Sequence, residues 1–159
     1  MGQMMNSGND VVSFLKGQHQ QVKALLEEVT AKSGKERERA FATLQRLLMV
    51  HEAAEEEVVH PAARRAISGG EQEVNSRLKE ENEAKKALTE LDRLDVDSSE
   101  FETKFAKLKK AVIAHAEAEE HEEFDRLKAV LDPERLQRMR QSAQKAEAAA
   151  APGRREREH

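Results

Sequence analysis

Cysteine is absent from this 159-residue chain. Disulfide staples and thiolate metal ligation are therefore both excluded, and any metal must be held through nitrogen and oxygen. Tryptophan and tyrosine are also missing, and aromatics amount to 3% of residues. Only three prolines and seven glycines punctuate the chain, too few for the many turns of a sheet protein. No apolar run approaches the roughly 20 residues that a membrane helix needs. Met1 to Asp10 show no basic segment followed by an apolar stretch, so a signal peptide is not expected and a cytoplasmic protein is. The formal charge of −4 gives no electrostatic reason to expect nucleic acid as a partner. Phosphate-binding loops, dinucleotide fingerprints and a Ser-His-Asp arrangement are not found.

What remains is rich in Ala, Glu, Lys, Leu and Arg, with 36% of residues charged. Such a mixture belongs to long amphipathic helices, and the length suits one domain with a single sizeable core. Four long helices are expected. The first starts after Asn9 and Asp10 as capping residues and runs to about Lys32, with Val12, Leu15, Val22 and Leu26 inward. The second runs from about Lys35 to His60, with Phe41, Leu44, Leu48 and Val58 inward. Pro61 should end or kink it, with a short continuation to Ile67. The third covers about Glu71 to Leu94. The fourth runs from the Ser98/Ser99 caps to about Leu131, with Phe101, Phe105, Leu108 and Val112 inward. Asp132-Pro133-Glu134 restarts a fifth helix that extends to about Ala150 and lays Leu136 and Met139 on the bundle. The expected fold is all-α, an up-and-down antiparallel four-helix bundle with an additional C-terminal helix. Its parts are a flexible N-terminus over 1–9, the bundle over 10–131, the last helix over 132–150 and a disordered tail over 151–159.

The two halves resemble each other. Leu15-Lys16-x-x-His19-x-x-x-Lys23-Ala24-Leu25-x-Glu27 returns as Leu78-Lys79-x-x-Asn82-x-x-x-Lys86-Ala87-Leu88-x-Glu90, a displacement of 63 (15 to 78). His51-x-x-x-Glu55-Glu56 returns as His115-x-x-x-Glu119-Glu120, a displacement of 64 (51 to 115). A doubled helical hairpin produces a pseudo-symmetric bundle.

Residues four apart lie about 40° apart round a helix, so His51 and Glu55 leave from one strip. Leu44, Leu48 and Val58 flank them there. His115 and Glu119 sit likewise among Leu108 and Val112, and His19 shares its strip with Val12, Leu15 and Leu26. Ionisable groups directed into an apolar interior are normally paired or bound to metal. His/Glu ligation without sulfur suits iron, manganese or zinc. Two clusters entering one core from opposite helices suit a dinuclear centre with bridging glutamates. His121 falls off the inner strip and reads as solvated, and His159 lies in the tail.

At these residues the sequence resembles the hemerythrin-like (HHE cation-binding) domain family. The pattern comprises His19, then His51-x-x-x-Glu55-Glu56 ending at Pro61, then His115-x-x-x-Glu119-Glu120 ending near Phe124. It spans about residues 10 to 131. Glu-Glu-Val-Val-His-Pro-Ala-Ala-Arg is similar to the compact actinobacterial members. The family usually carries a histidine near the start of the third helix, where the repeat places Asn82, a weak ligand. Two residues are candidates to compensate. Glu81 stands near the centre of the third helix's apolar arc, among Val74, Leu78 and Leu88. His60 would face away from His51 on an ideal helix, and only a distortion such as a π-bulge before Pro61 turns it inward. The resemblance implies a dinuclear iron centre, oxo- or hydroxo-bridged. Its expected partners are peroxide, dioxygen or nitric oxide. Ligation richer in carboxylate than in an oxygen carrier points toward redox chemistry, catalase-like disproportionation among the options, with gas or redox sensing or iron handling as the alternative. A ferritin-like carboxylate protein would need Glu-x-x-His twice on inward strips. Here only Glu57-x-x-His60 is present, facing away from His51. A metal-free interaction domain is the third reading.

Overall fold

The computed structural model describes residues 9–151. The two terminal segments expected to be flexible or disordered lie outside the described residues except at positions 9 and 151, and His159 lies outside them too. The elements in chain order are α1 (Val11–Ala31), α2 (Gly34–Ala54), a π-helical turn (Glu55–Val59), α3 (His60–Ala66), α4 (Gly70–Asp92), α5 (Ser99–Ala118), a second π-helical turn (Glu119–Phe124), α6 (Asp125–Val130) and α7 (Pro133–Ala150). Because α2 runs through its π turn into α3, and α5 through its own into α6, the bundle consists of four rods. No strand occurs among the described residues.

The helix starts follow capping chemistry. Asp10 accepts from Ser13 N at 2.8 Å and Ser98 accepts from Phe101 N at 3.1 Å, each satisfying an amide with no partner inside its helix. Asp132 is extended ahead of Pro133 but makes no side-chain cap bond, so α7 starts on the proline alone. Gly69 takes φ 72° in the turn before α4, the left-handed region that favours glycine. Its neighbour Gly70 has no room for a Cβ, which would run into the Ala63 carbonyl. Close packing of α3 on α4 therefore depends on glycine.

Two apolar clusters fill the interior. At one end Leu15, Ala54, Val59, Val74, Phe124 and Leu136 pack together. At the other end are Val22, Leu44, Leu48, Leu88, Phe101 and Val112. Each rod passes from one cluster to the other, and the residues at the crossing are His19, His51, Glu81 and His115. A polar layer thus divides the core. The fifth helix, α7, lies across α1 and α2, burying Leu136 and Met139 as expected.

Candidate metal centre

The π turns determine what reaches this layer. Each absorbs one extra residue, so everything beyond it is set back by about 100° from its α-helical phase. His60 would lie about 180° from His51 on an unbroken α-helix. With one residue absorbed it turns to about 80°, and it is 2% exposed. The same shift moves Val59 onto the strip at 1% exposure and leaves Val58 half-buried, a correction to the expectation of Val58 inward. In the fourth rod it brings Glu123, about 80° off the strip by α-helical phase, onto it with 0% exposure. Glu123 was missed by the sequence reading. The signal was present in the repeat, which pairs His60 with Phe124 and so implies a second bulge wherever the first occurs. Pro61 does not end the rod, because the proline falls at the start of α3, where no amide hydrogen is required.

The structure brings together all the residues singled out in the sequence. His19, His51, Glu55 and Glu119 form one group, and Glu55, Glu81, His115 and Glu119 a second. Glu55 and Glu119 belong to both. His60, Glu119 and Glu123 form a third, adjoining group. Both Glu81 and His60 point inward, with His60 Nε2 at 3.1 Å from Glu81 Oε2, while Asn82 is exposed. His121, whose side chain is 74% exposed, stands outside.

The four inner imidazoles share one arrangement. Nδ1 of His19 lies 2.7 Å from Glu120 Oε2, Nδ1 of His51 lies 2.7 Å from Gln18 Oε1, Nδ1 of His60 lies 2.7 Å from Glu123 Oε2 and Nδ1 of His115 lies 2.6 Å from Glu80 Oε1. Each partner oxygen accepts. Gln18 is oriented by its amide, which donates to Glu147 Oε1 at 2.7 Å. Every Nδ1 therefore carries hydrogen and every Nε2 is turned into the layer. Outer carboxylates and carbonyls fix metal-binding histidines in the same way.

Whether a cation suits this layer can be tested on the contacts. The Nε2 atoms of His19 and His51 are 3.1 Å apart, His19 Nε2 is 3.1 Å from Glu119 Oε1 and His51 Nε2 is 2.9 Å from Glu55 Oε2. With hydrogen on Nδ1, all of these atoms present lone pairs to one another, an arrangement that only a shared proton or a cation makes tolerable. A metal with bonds of about 2.1 Å at right angles separates its ligand atoms by about 3.0 Å. Both oxygens of Glu55, and one each of Glu81, Glu119 and Glu123, are buried without a hydrogen-bond partner, although such groups are nearly always satisfied. The donor set fits a metal.

Electrostatics show the strain of the metal-free arrangement. Burial, then the neighbouring Glu119, holds the Glu55 carboxyl well above its ordinary range. Burial pushes Glu119 the same way, but the Glu55 carboxyl and the His115, His19 and His51 rings crowded against it outweigh burial and hold its pKa well below that range. Burial disfavours charge on His60, yet Glu123 and Glu81 raise its pKa to about 10. Burial opposes His115 likewise, and Glu119 and Glu80 raise it to about 9. Burial lowers His51.

A cleft of about 690 Å³ between the second, third and fourth rods leads to this layer, lined by Leu48, Ala84, Leu108 and Val112 and reaching Glu81 and His115. The His115 side chain is 16% exposed, more than the other three. On the opposite side Phe124 stacks on His19, with ring centroids 5.7 Å apart, and closes the layer.

The family model described as Hemerythrin HHE cation binding domain matches residues 10–127. A hemerythrin HHE cation-binding domain-containing protein from Mycobacterium kansasii has a similar solved structure. Its TM-score is 0.80 at 18% identity, over 91% of this chain and 88% of that one. At that identity the likeness speaks for the fold, a hemerythrin-like helical bundle. No curated protein matches the sequence.

Proposed function

The chain belongs to the hemerythrin HHE cation-binding family, and from that premise we propose that it holds a dinuclear iron centre acting on peroxide, dioxygen or nitric oxide. Catalase-like disproportionation of peroxide is the activity we favour. The observation that supports this reading is the pair of ligand groups that share Glu55 and Glu119. His19 and His51 would hold one ion, and His115, Glu81 and His60 the other, with the shared carboxylates between them. Bound there, iron would supply reversible redox chemistry to a small oxygen or nitrogen oxide.

The protein's own residues have three tasks. Glu120, Gln18, Glu123 and Glu80 hold the rings with Nε2 inward, so no ligand has to reorient when an ion arrives. Leu48, Leu108 and Val112 give the cleft an apolar wall that limits water while admitting a small neutral molecule. His115, at the inner end of that cleft, is where such a molecule arrives first. Carboxylates outnumber those expected of an oxygen carrier and stabilise higher oxidation states, which favours turnover over reversible carriage.

The test is iron content per chain, followed by oxygen evolution on adding peroxide to the iron-loaded protein. About two irons per chain are expected, with evolution abolished in His51→Ala. Two irons with no peroxide consumption, but a spectrum that changes reversibly with dioxygen or nitric oxide, would replace turnover by sensing. Absence of iron uptake would remove the metal reading altogether.

A further inference from the structure

One acidic group stands outside the inner layer. Glu52 and Glu56 on the second rod and Glu81 on α4 bring carboxylate oxygens within 4.8 Å of one another. Acidic clusters are common without a ligand, but two of these side chains are buried and incompletely satisfied. Glu52 is 7% exposed and Glu81 2%, and the Oε1 atom of each has no hydrogen-bond partner. The cation near them is the Lys85 ammonium, at 3.5 Å from Glu52 Oε1 and 3.6 Å from Glu56 Oε2. Charge-assisted hydrogen bonds run at about 2.7–2.9 Å, so Lys85 holds both carboxylates in long ion pairs, weaker than a close charge-assisted bond. Its side chain is 53% exposed and free to withdraw into water.

Glu81 joins this group to the inner layer. Its Oε2 faces His60 at 3.1 Å and His115 at 3.7 Å, leaving Oε1 as the unpartnered atom. Glu56 opens the group to solvent, with its side chain 43% exposed. Glu80, Glu83 and Glu90 line the neighbouring cleft together with Lys104 and Lys107, and Lys104 pairs with Glu90 at 2.9 Å. We propose that Glu52, Glu56 and Glu81 form an outer divalent-cation site, with Lys85 as its displaceable occupant, through which metal ions enter the inner centre. An all-oxygen site suits a hard, partly hydrated ion such as Fe(II) or Mn(II). From there the ion moves inward by exchanging water for imidazole while Glu81 stays attached. The inference rests on the metal-centre reading and adds a route to it.

The test uses the full metal-free chain, with Mn(II) uptake followed by rapid mixing and the final metal content measured. The double variant Glu52→Gln/Glu56→Gln should load about tenfold more slowly or worse, yet reach the same final occupancy of the inner centre. Lys85→Met should act in the opposite direction, loading faster and holding an additional ion more tightly. If wild type fills its inner centre and both variants load at the wild-type rate, the outer site is refuted while the metal centre stands. If wild type takes up no metal, the metal-centre reading itself falls. Should the double variant fail to fold, Lys85→Met decides: unchanged uptake overturns the proposal.

Discussion

Replacing Glu55 by glutamine should raise the stability of the metal-free protein while lowering that of the loaded protein. Glu55 is 0% exposed, and neither of its oxygens has a hydrogen-bond partner. Burial, then the neighbouring Glu119, pushes its carboxyl well above the ordinary range. A buried carboxyl with no hydrogen-bond partner costs about 1–3 kcal/mol, and more where it is charged. Glutamine has nearly the same shape and is neutral without that cost. Its amide can donate to His51 Nε2, which lies 2.9 Å from Glu55 Oε2, but a second amide hydrogen stays unsatisfied and costs about 1 kcal/mol or somewhat more. The net gain is on the order of 1–2 kcal/mol, which for a domain of this size raises Tm by roughly 2–8 °C. Loading with Mn(II) or Fe(II) reverses the order. A hundredfold loss of affinity, from an amide in place of a shared carboxylate, removes about 2.7 kcal/mol of ligand-linked stabilisation. Thermal unfolding followed by circular dichroism, in chelator and then in excess metal without oxygen, measures both signs. A lower Tm for Glu55→Gln in chelator would show that Glu55 is a structural core group, and the functional explanation of its burial would be lost.

Stability of the metal-free protein should fall between about pH 6.5 and 10. His60, with its pKa at about 10, and His115, at about 9, keep protons in the folded state that the unfolded chain releases above its ordinary value. Their contribution is complete below pH 6.5 and lost as pH climbs through those values. Metal must displace these same protons, so affinity should rise with pH across that window, with proton release on adding Mn(II) at pH 7 as the check. His60→Phe, which copies its repeat partner Phe124, removes the ring between Glu81 and Glu123 and should weaken one of the two ions by about 10–100-fold. Metal analysis at limiting concentration should then find about one ion per chain, and two would make His60 a bystander. Gln18→Leu takes the acceptor from His51 Nδ1 and should cost a similar factor in affinity. Ring nitrogen shifts of His51 in the metal-free protein should show the hydrogen leaving Nδ1, and an unchanged tautomer would contradict the role given to Gln18.

Much of this molecule is written in side-chain periodicity. The inward residues Leu15, Val22, Leu44, Phe101 and Val112 are all buried, since a stripe repeating every three or four residues has one way to hide from water. The i, i+4 spacing of His51 with Glu55, and of His115 with Glu119, carried these two candidate ligand pairs onto that stripe. The doubled hairpin explained why two such pairs meet. Glu81 was also legible, because it occupies the middle of an apolar arc that its exposed neighbour Asn82 does not share.

Periodicity has no means of announcing a change in its own period. Two π turns, at Glu55–Val59 and Glu119–Phe124, reset the phase of the two rods. Only through that reset do His60, Val59 and Glu123 turn inward and Val58 turn partly away. The partners of Nδ1 were equally hidden, since Glu80, Glu120 and Gln18 come from rods whose relative rotation is set by packing across the bundle. A helix can specify which of its own residues share a face. Which residues of another helix stand opposite is decided when the four rods close on one another, and the orientation of each imidazole is decided there too.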